Sequence, residues 1–315
     1  MSKLKDKSEV KINADLRGND LKLDDYKLII EGNKIILKDV KDFLPQHIFD
    51  CGQCFRWIRE DDGSYTGVAK GKVINVSNAG DDIVFENTNI EDFKNIWFDY
   101  FDLGRDYSKL KYELSGFDEN LNKAVDFGWG IRILQQDCWE MLISFIISSN
   151  NRIPMIQRAI ANISERYGRE IGEFRGKKYY AFPTPEELSK ASIDDLRDCK
   201  TGFRDKYIFS TTNDVVNGVD INEFYDFESD ICHKELMKFK GVGAKVADCI
   251  ALFGYRKYNS FPVDVWVKRV MQEFYGADEM SLPKMRSYGM NLFGENAGFA
   301  QQYLFYYMRE LDLGK

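Results

Sequence analysis

No stretch of this 315-residue sequence approaches the roughly 20 uninterrupted apolar residues that a bilayer-crossing helix requires, so no membrane-spanning role is expected. The opening MSKLKDKSEV carries charges but no apolar core. It does not read as a secretory signal, and an intracellular protein is expected. Histidine is scarce, with only His47 and His233. Six cysteines (Cys51, Cys54, Cys138, Cys199, Cys232, Cys249) are scattered over a large chain, which favours reduced thiols over a disulfide framework. Cys51 and Cys54 form a C-x-x-C, but no second pair follows. A zinc centre would need His47 and a fourth ligand to converge on them, and small buried thiols in a strand region are the simpler expectation. A basic excess is lacking too: the net charge is −7, which argues against a polyanionic partner. Affinity for phosphate follows local patches rather than the total, however. From Lys234 to Arg269 eight basic residues face three acidic ones, a local charge of +5.

What is present suits a folded two-domain protein. The length allows two domains, and 44% hydrophobic with 30% charged residues is ordinary for a globular chain. Short runs at Tyr26–Ile30, Lys34–Lys38, Cys54–Ile58, Tyr65–Ala69, Lys72–Val76 and Ile83–Glu86 read as strands. Turn residues separate them: Glu31-Gly32-Asn33, Asp61-Asp62-Gly63, Gly71 and Asn78-Ala79-Gly80-Asp81. One antiparallel sheet is expected, with no helix of comparable length before about Asn89. From about Asp106 the pattern turns helical. Asp137–Ser149 is apolar enough for a central buried helix, and Ile153, Ile156, Ile160, Ile163 and Tyr167 mark one face of the next. Thr184-Pro185-Glu186-Glu187 and Ser192-Ile193-Asp194-Asp195 have the form of capping boxes. The expected class is α+β: an N-terminal antiparallel β-sheet domain over 1–120, then an all-helical domain over 121–315, with the boundary between about 105 and 130.

The most informative segment is KFKGVGAKVADCIALFGYRKYNSFPVD, residues 238–264. A helix, the turn Gly241-Val242-Gly243, and a second helix to about Phe253 would form a helix-hairpin-helix. Glycines so spaced permit positive φ angles and leave backbone N–H groups at the second helix's start free to hold a phosphate. Gly-x-Gly can also be a plain connector. Lys245 falls in the first turn of that helix, where the positive end of the helix dipole disfavours a cation. An ordinary lysine, with its pKa near 10.4, is almost wholly protonated at neutral pH. Dipole, burial and nearby positive charge would lower that value and free the amine as a nucleophile. Phosphate binding is the plainer alternative. Cys249 lies four residues on, on the same face. Asp264 precedes an apolar-periodic segment and reads as its N-cap, a position from which it could also stabilise a developing positive charge.

GVGAKVADCI followed by PVDVW resembles the helix-hairpin-helix glycosylase superfamily and, more narrowly, the 8-oxoguanine DNA glycosylase/AP lyase family. The resemblance spans nearly the whole chain, because several separated motifs match in order. It implies a TBP-like β-rich domain, a Schiff-base mechanism with Lys245 as nucleophile and Asp264 as its carboxylate partner, and Gly241 and Gly243 on the DNA backbone. CGQCFRW matches a Gly-Gln-x-Phe-Arg-Trp motif and implies that Gly52 contacts the N7–H that distinguishes 8-oxoguanine from guanine. SFIISSNNRI implies that Asn150 fills the space left by a flipped base. GFRDKY implies Phe203 as intercalating wedge and Arg204 as a contact to the orphaned partner base. AQQYLF implies Gln301 on the flipped base's pairing edge and Phe305 stacking on it, with Cys249 on the opposite face. Chemistry on a base inside a duplex requires flipping it out, and such side chains offset the cost.

The resemblance further implies no metal or organic cofactor, a duplex DNA partner containing oxidised guanine, and residence in the cytoplasm at the nucleoid if the source is bacterial. A monomer is the default. Two departures stand out. Met155 falls where animal members carry an arginine, with Arg152 nearer the asparagines, so weaker readout of the opposite cytosine is expected. Trp266 stands where a histidine is common, which puts a phosphate contact in doubt. Alternatives are a glycosylase of the same superfamily for another damaged base, or a non-catalytic DNA-binding protein. No cysteine follows Cys249, against the superfamily members with a C-terminal iron–sulfur cluster; Lys245 argues against alkylbase glycosylases, which generally lack it.

Overall fold

A computed structural model describes residues 8–9 and 21–313. Of the stretch MSKLKDKSEV, only the backbone of Ser8 and Glu9 falls within them. The chain divides into two compact units. Unit 1 takes the described residues up to Glu113 together with Trp129–Gln135 and Ile171–Tyr179. Unit 2 takes Leu114–Gly128, Gln136–Glu170 and the described residues from Tyr180 onward. A single cut at 120 therefore does not separate them: the chain passes from one to the other five times, at 113/114, 128/129, 135/136, 170/171 and 179/180. Among the described residues no helix is long and apolar enough to cross a membrane.

Unit 1 is built on a seven-stranded antiparallel sheet. Its strands are β1 (Ser8–Glu9), β2 (Lys27–Glu31), β3 (Lys34–Lys38), β4 (Trp57–Arg59), β5 (Tyr65–Ala69), β6 (Lys72–Ala79) and β7 (Asp82–Glu86). They lie in the order β1-β2-β3-β7-β6-β5-β4. Period-two alternation buries Ile35 and Leu37 of β3 beside Phe85 and Ile83 of β7, which are their register partners. Phe43, Phe49, Phe93, Trp97, Phe98 and Phe101 share this core. Each such side chain contributes about 1.5–3 kcal/mol on burial.

Two expectations fail here. Cys54–Ile58 is not a strand throughout; only Trp57–Arg59 pairs, because residues 50–56 make an irregular turn that places Gly52 at φ +81°. A helix at Pro45–Phe49 also interrupts the strands, started by proline in its first turn. It carries Phe49 onto Trp57, ring centroids 3.9 Å apart, and Trp57 in turn lies over Gly67, where a Cβ would meet the indole at 2.3 Å. All six cysteines are buried and none forms a disulfide. Cys51 donates to the Ile48 carbonyl at 3.2 Å, while His47 Nδ1 accepts from the Gly130 amide at 3.2 Å. Burial pushes the His47 imidazole down to about 4.

Unit 2 is helical. Its helices of eight or more residues are α1 (Glu119–Phe127), α2 (Cys138–Ser148), α3 (Ile153–Tyr167), α4 (Asp205–Val216), α5 (Ser229–Leu236), α6 (Ala244–Tyr255), α7 (Val265–Tyr275), α8 (Leu282–Phe293) and α9 (Ala297–Leu313). As its composition demands, α2 is the central helix, with nine of eleven residues buried and Asp137 capping it through the Glu140 amide. It packs against α6. Gly254 permits the approach, since a Cβ there would lie 3.3 Å from the Cys138 backbone, and Phe145 stacks on Phe253 at 5.8 Å. Both capping boxes form, at Thr184 and Ser192. The region expected to be all helix also contains a hairpin, β8 (Glu170–Phe174) and β9 (Lys177–Tyr180). At its turn Arg175, itself within unit 1, has φ +51° and pairs with Asp62 and Glu86, both at 3.0 Å.

Candidate active site

The hairpin between α5 and α6 forms as the glycine spacing predicts, with one difference. Gly241 alone has positive φ, +86°; Gly243 is extended at φ −91° and N-caps α6 without a side-chain cap. Gly241 is doubly required, because a Cβ would also strike the Tyr207 ring at 2.5 Å, whereas one at Gly243 would meet nothing within 4 Å. First-turn amides of α6 thus lack a side-chain acceptor from the cap residue, the arrangement that suits an anion.

Lys245 is half-buried in that first turn, its Nζ 5.7 Å from the centroid of the Phe145 ring. The neighbouring Cys249 thiol and the Asp264 carboxylate raise the amine above its ordinary value, outweighing burial, which lowers it. The expected depression is therefore corrected for the resting protein. Dipole and burial are in place, but the groups close to the amine are acids rather than the cations that would depress it. Cys249 is buried, and burial pushes its thiol up to about 11 despite the pull of Lys245. Asp264 is half-buried and caps α7, accepting from the Trp266 and Val267 amides at 3.0 and 2.9 Å. Burial raises its carboxyl, while those amides and the Lys245 charge pull it down. An amine in the first turn of α6, a thiol one turn further along it and the carboxylate that caps α7 thus act on one another.

On α9, Gln301 is buried with its Oε1 lacking a hydrogen-bond partner, and half-buried Phe305 lies one turn further on. A buried carbonyl oxygen without a donor carries a desolvation cost that an incoming N–H would relieve. After α2 the backbone turns at Asn150, exposed and at φ +50°. Phe203 projects with 58% of its surface exposed, which suits a side chain meant to enter another molecule. Arg204 differs from expectation: it is buried, and its guanidinium donates to the carbonyls of Ser149, Asn150 and Thr201. Met155 and Arg152 are both exposed at the start of α3, and Trp266 is half-buried in the first turn of α7.

In unit 1, Gly52 is half-buried in its left-handed turn. Gln53 locks that turn, donating to the carbonyls of Ile48 (2.9 Å) and Arg132 (2.7 Å) and accepting from the Leu134 amide (2.8 Å). Sequence reasoning passed over Gln53 as a mere motif letter. It also missed Phe145, whose place beneath Lys245 depends on the packing of α2 and α6. A third omission is the buried cluster below Lys245. Arg286 donates to Asp248 at 2.7 Å, and His233 Nε2 lies 3.2 Å from the carbonyl of Ala244, the residue before Lys245. The spacing of Asp248, three residues after Lys245 on one helix, was the available signal.

Comparison with known proteins agrees with this arrangement. Residues 35–142 match the model of the 8-oxoguanine DNA glycosylase N-terminal domain. Residues 143–293 match the HhH-GPD superfamily of base excision DNA repair proteins. A probable N-glycosylase/DNA lyase of Methanothermobacter thermautotrophicus is 32% identical over 229 residues, covering 65% of this chain and 73% of that one. Among solved structures, the 8-oxoguanine glycosylase/lyase of Clostridium acetobutylicum bound to duplex DNA with cytosine opposite 8-oxoguanine is 50% identical. It superposes with a TM-score of 0.87, covering 91% of this chain and 98% of that one. Its apo-form gives a TM-score of 0.86 at 50% identity, over 90% and 98% of the two chains. By similarity over nearly its whole length, the chain belongs to the 8-oxoguanine DNA glycosylase/lyase family of the HhH-GPD superfamily.

Proposed function

We infer that this protein is a bifunctional DNA glycosylase/AP lyase. It removes 8-oxoguanine from duplex DNA inside the cell and nicks the strand through a Schiff base on Lys245. The observation that carries the reading is the position of Lys245 in the first turn of α6, after Gly243 and free of a side-chain cap so that its amides suit a DNA phosphate, with Asp264 capping α7 close enough to act on the amine. The neutral amine attacks C1′ of the everted nucleotide, the C1′–N9 bond breaks, and its electron pair leaves with the base. Asp264 stabilises positive charge on the sugar as that bond lengthens. The aminal opens to a protonated Schiff base, loss of a C2′ proton expels the 3′-phosphate, and water then releases the enzyme. Cys249 and Phe305 are assigned to the two faces of the base and Gln301 to its pairing edge. Gly52 is assigned to N7–H, Asn150 and Phe203 to the disrupted duplex, and Gly241 and Gly243 to the backbone. A strand-cleavage assay on an 8-oxoguanine duplex tests the reading. Release of a different damaged base, or binding without cleavage, would replace it with one of the two alternatives.

Only the uncharged amine can attack carbon, and the acids beside Lys245 hold it charged through the neutral range. Its raised pKa means that each increase in pH enlarges the reactive fraction. Single-turnover base release should therefore rise about tenfold per pH unit from neutral to mildly alkaline conditions. A plateau at neutral pH would show that bound substrate itself depresses the amine.

Met155, apolar and exposed in the first turn of α3, offers no hydrogen-bond donor to a partner base. Excision rates opposite C, A, G and T should agree within about tenfold, since one lost bidentate contact accounts for about 1–3 kcal/mol of discrimination. Strict preference for cytosine in a four-duplex comparison would contradict this.

A further inference from the structure

Beneath the first turn of α6 lies a buried polar cluster that the proposed chemistry does not use. His233 of α5, Asp248 of α6 and Arg286 of α8 form it, all within unit 2. Arg286 Nε donates to Asp248 Oδ2 at 2.7 Å, and its Nη1 lies 3.6 Å from Asp230. Asp248 Oδ1 and Arg286 Nη2 find no hydrogen-bond partner, although the Asp248 side chain is only 1% exposed. A buried ion pair with unfinished bonds is weak support for a fold, since desolvation offsets most of the attraction. His233 Nε2 lies 3.2 Å from the Ala244 carbonyl and 3.6 Å from Asp248 Oδ1. A carbonyl can only accept, so Nε2 carries the hydrogen and donates to it, and the Asp248 oxygen draws the proton the same way. That carbonyl belongs to the peptide whose N–H is that of Lys245, a first-turn amide of α6. Donation to one end of a peptide group polarises it and strengthens the N–H at its other end.

We propose that His233 is a positioning residue for duplex binding: it polarises the peptide between Ala244 and Lys245 and so strengthens the grip of that amide on a DNA phosphate. Asp248, anchored by Arg286, faces the same imidazole nitrogen and holds the ring in that tautomer. The cluster works from inside the protein on a group whose other end meets the ligand, and needs no contact of its own with DNA. Gly243 offers no side-chain acceptor to these amides, so their strength as donors is left for a ligand to use. The inference rests on the reading that the first-turn amides of α6 hold the DNA backbone.

The test measures affinity for 8-oxoguanine and undamaged duplexes in the K245Q background, where turnover should be lost. Compared are H233L, which keeps bulk without a donor, H233Q, whose amide nitrogen reaches the place of Nε2, and D248N. A fourth variant, A244P, deletes one first-turn amide at a helix position that accepts proline. H233L should bind about tenfold more weakly, the scale of one hydrogen bond lost. H233Q should recover most of that loss. The dependence of affinity on salt should keep its slope in H233L, because no cation is withdrawn from a phosphate. D248N should weaken binding by about threefold alone and by less in the H233L background, since the two residues act as one unit. Thermal midpoints are followed alongside; if H233L does not fold, H233N, whose amide falls short of the carbonyl, takes its place. Unchanged affinity in H233L, or no recovery in H233Q, overturns the proposal. So does a salt slope shallower by about one, which would make His233 a direct cationic contact. Parental affinity in A244P would refute the gripping hairpin itself, and the proposal with it.

Discussion

Lys245→Gln should reduce base release by about ten-thousand-fold or more and abolish the enzyme–DNA adduct trapped by borohydride, while duplex binding persists. Glutamine approximates the length of lysine and can still pack toward Phe145, so the site is not emptied. What disappears is the amine proposed to form the imine with C1′. On the proposed reading, binding draws on the hairpin amides after Gly241 rather than on the amine, and is therefore retained. Denaturation should show at most a small loss, since the cation that the variant removes is favoured by the acids beside it and disfavoured by the helix dipole. Adduct that survives in this variant would move the nucleophile elsewhere and take the mechanism with it.

Asp264→Asn should slow the chemical step by about 100- to 1,000-fold, the range seen when one electrostatic stabiliser is lost, with duplex affinity changed by less than about threefold. The choice of asparagine matters because Asp264 has two tasks. Its side chain accepts from the Trp266 and Val267 amides to start α7, and asparagine caps a helix about as well as aspartate. The fold is therefore kept while the negative charge is removed. That charge also holds the Lys245 amine high, so the variant should show its remaining activity at lower pH than the parent. Comparing pH–rate profiles of the two proteins isolates this term. Should rate and thermal midpoint fall together, Asp264 would be a cap alone.

Local signals in the sequence were sufficient for much of this. Gly241-Val242-Gly243 between periodic segments, the capping boxes at Thr184 and Ser192, and the alternation of β3 and β7 are written within a few residues of where they act. So was the cap at Asp264. Features decided at long range were not legible. The helix at Pro45–Phe49, a single turn, is too short for its buried face to be read as a period, and the β8–β9 hairpin is polar and largely exposed, so it shows no buried stripe. The direction of the Lys245 shift depended on which groups faced it, and its helix offered only the dipole.

The repeated passage of the chain between its two units limits how such a protein can be rearranged. Removing everything after residue 120 would take away Arg132, which donates to the carbonyls of Asp42 and Asp102 at 2.8 Å. Lost with it would be Leu134, whose amide meets Gln53, and Arg175, which pairs with Asp62 and Glu86. Unit 1, though not its seven-stranded sheet, is thus finished by chain synthesised after the first helix of unit 2 has emerged. A recombination event that exchanged one half of the gene at a single breakpoint would join halves that each lack strands or struts held by the other. Lesion-reading and hairpin regions of this architecture can therefore diversify only residue by residue within one lineage, not by shuffling of modules.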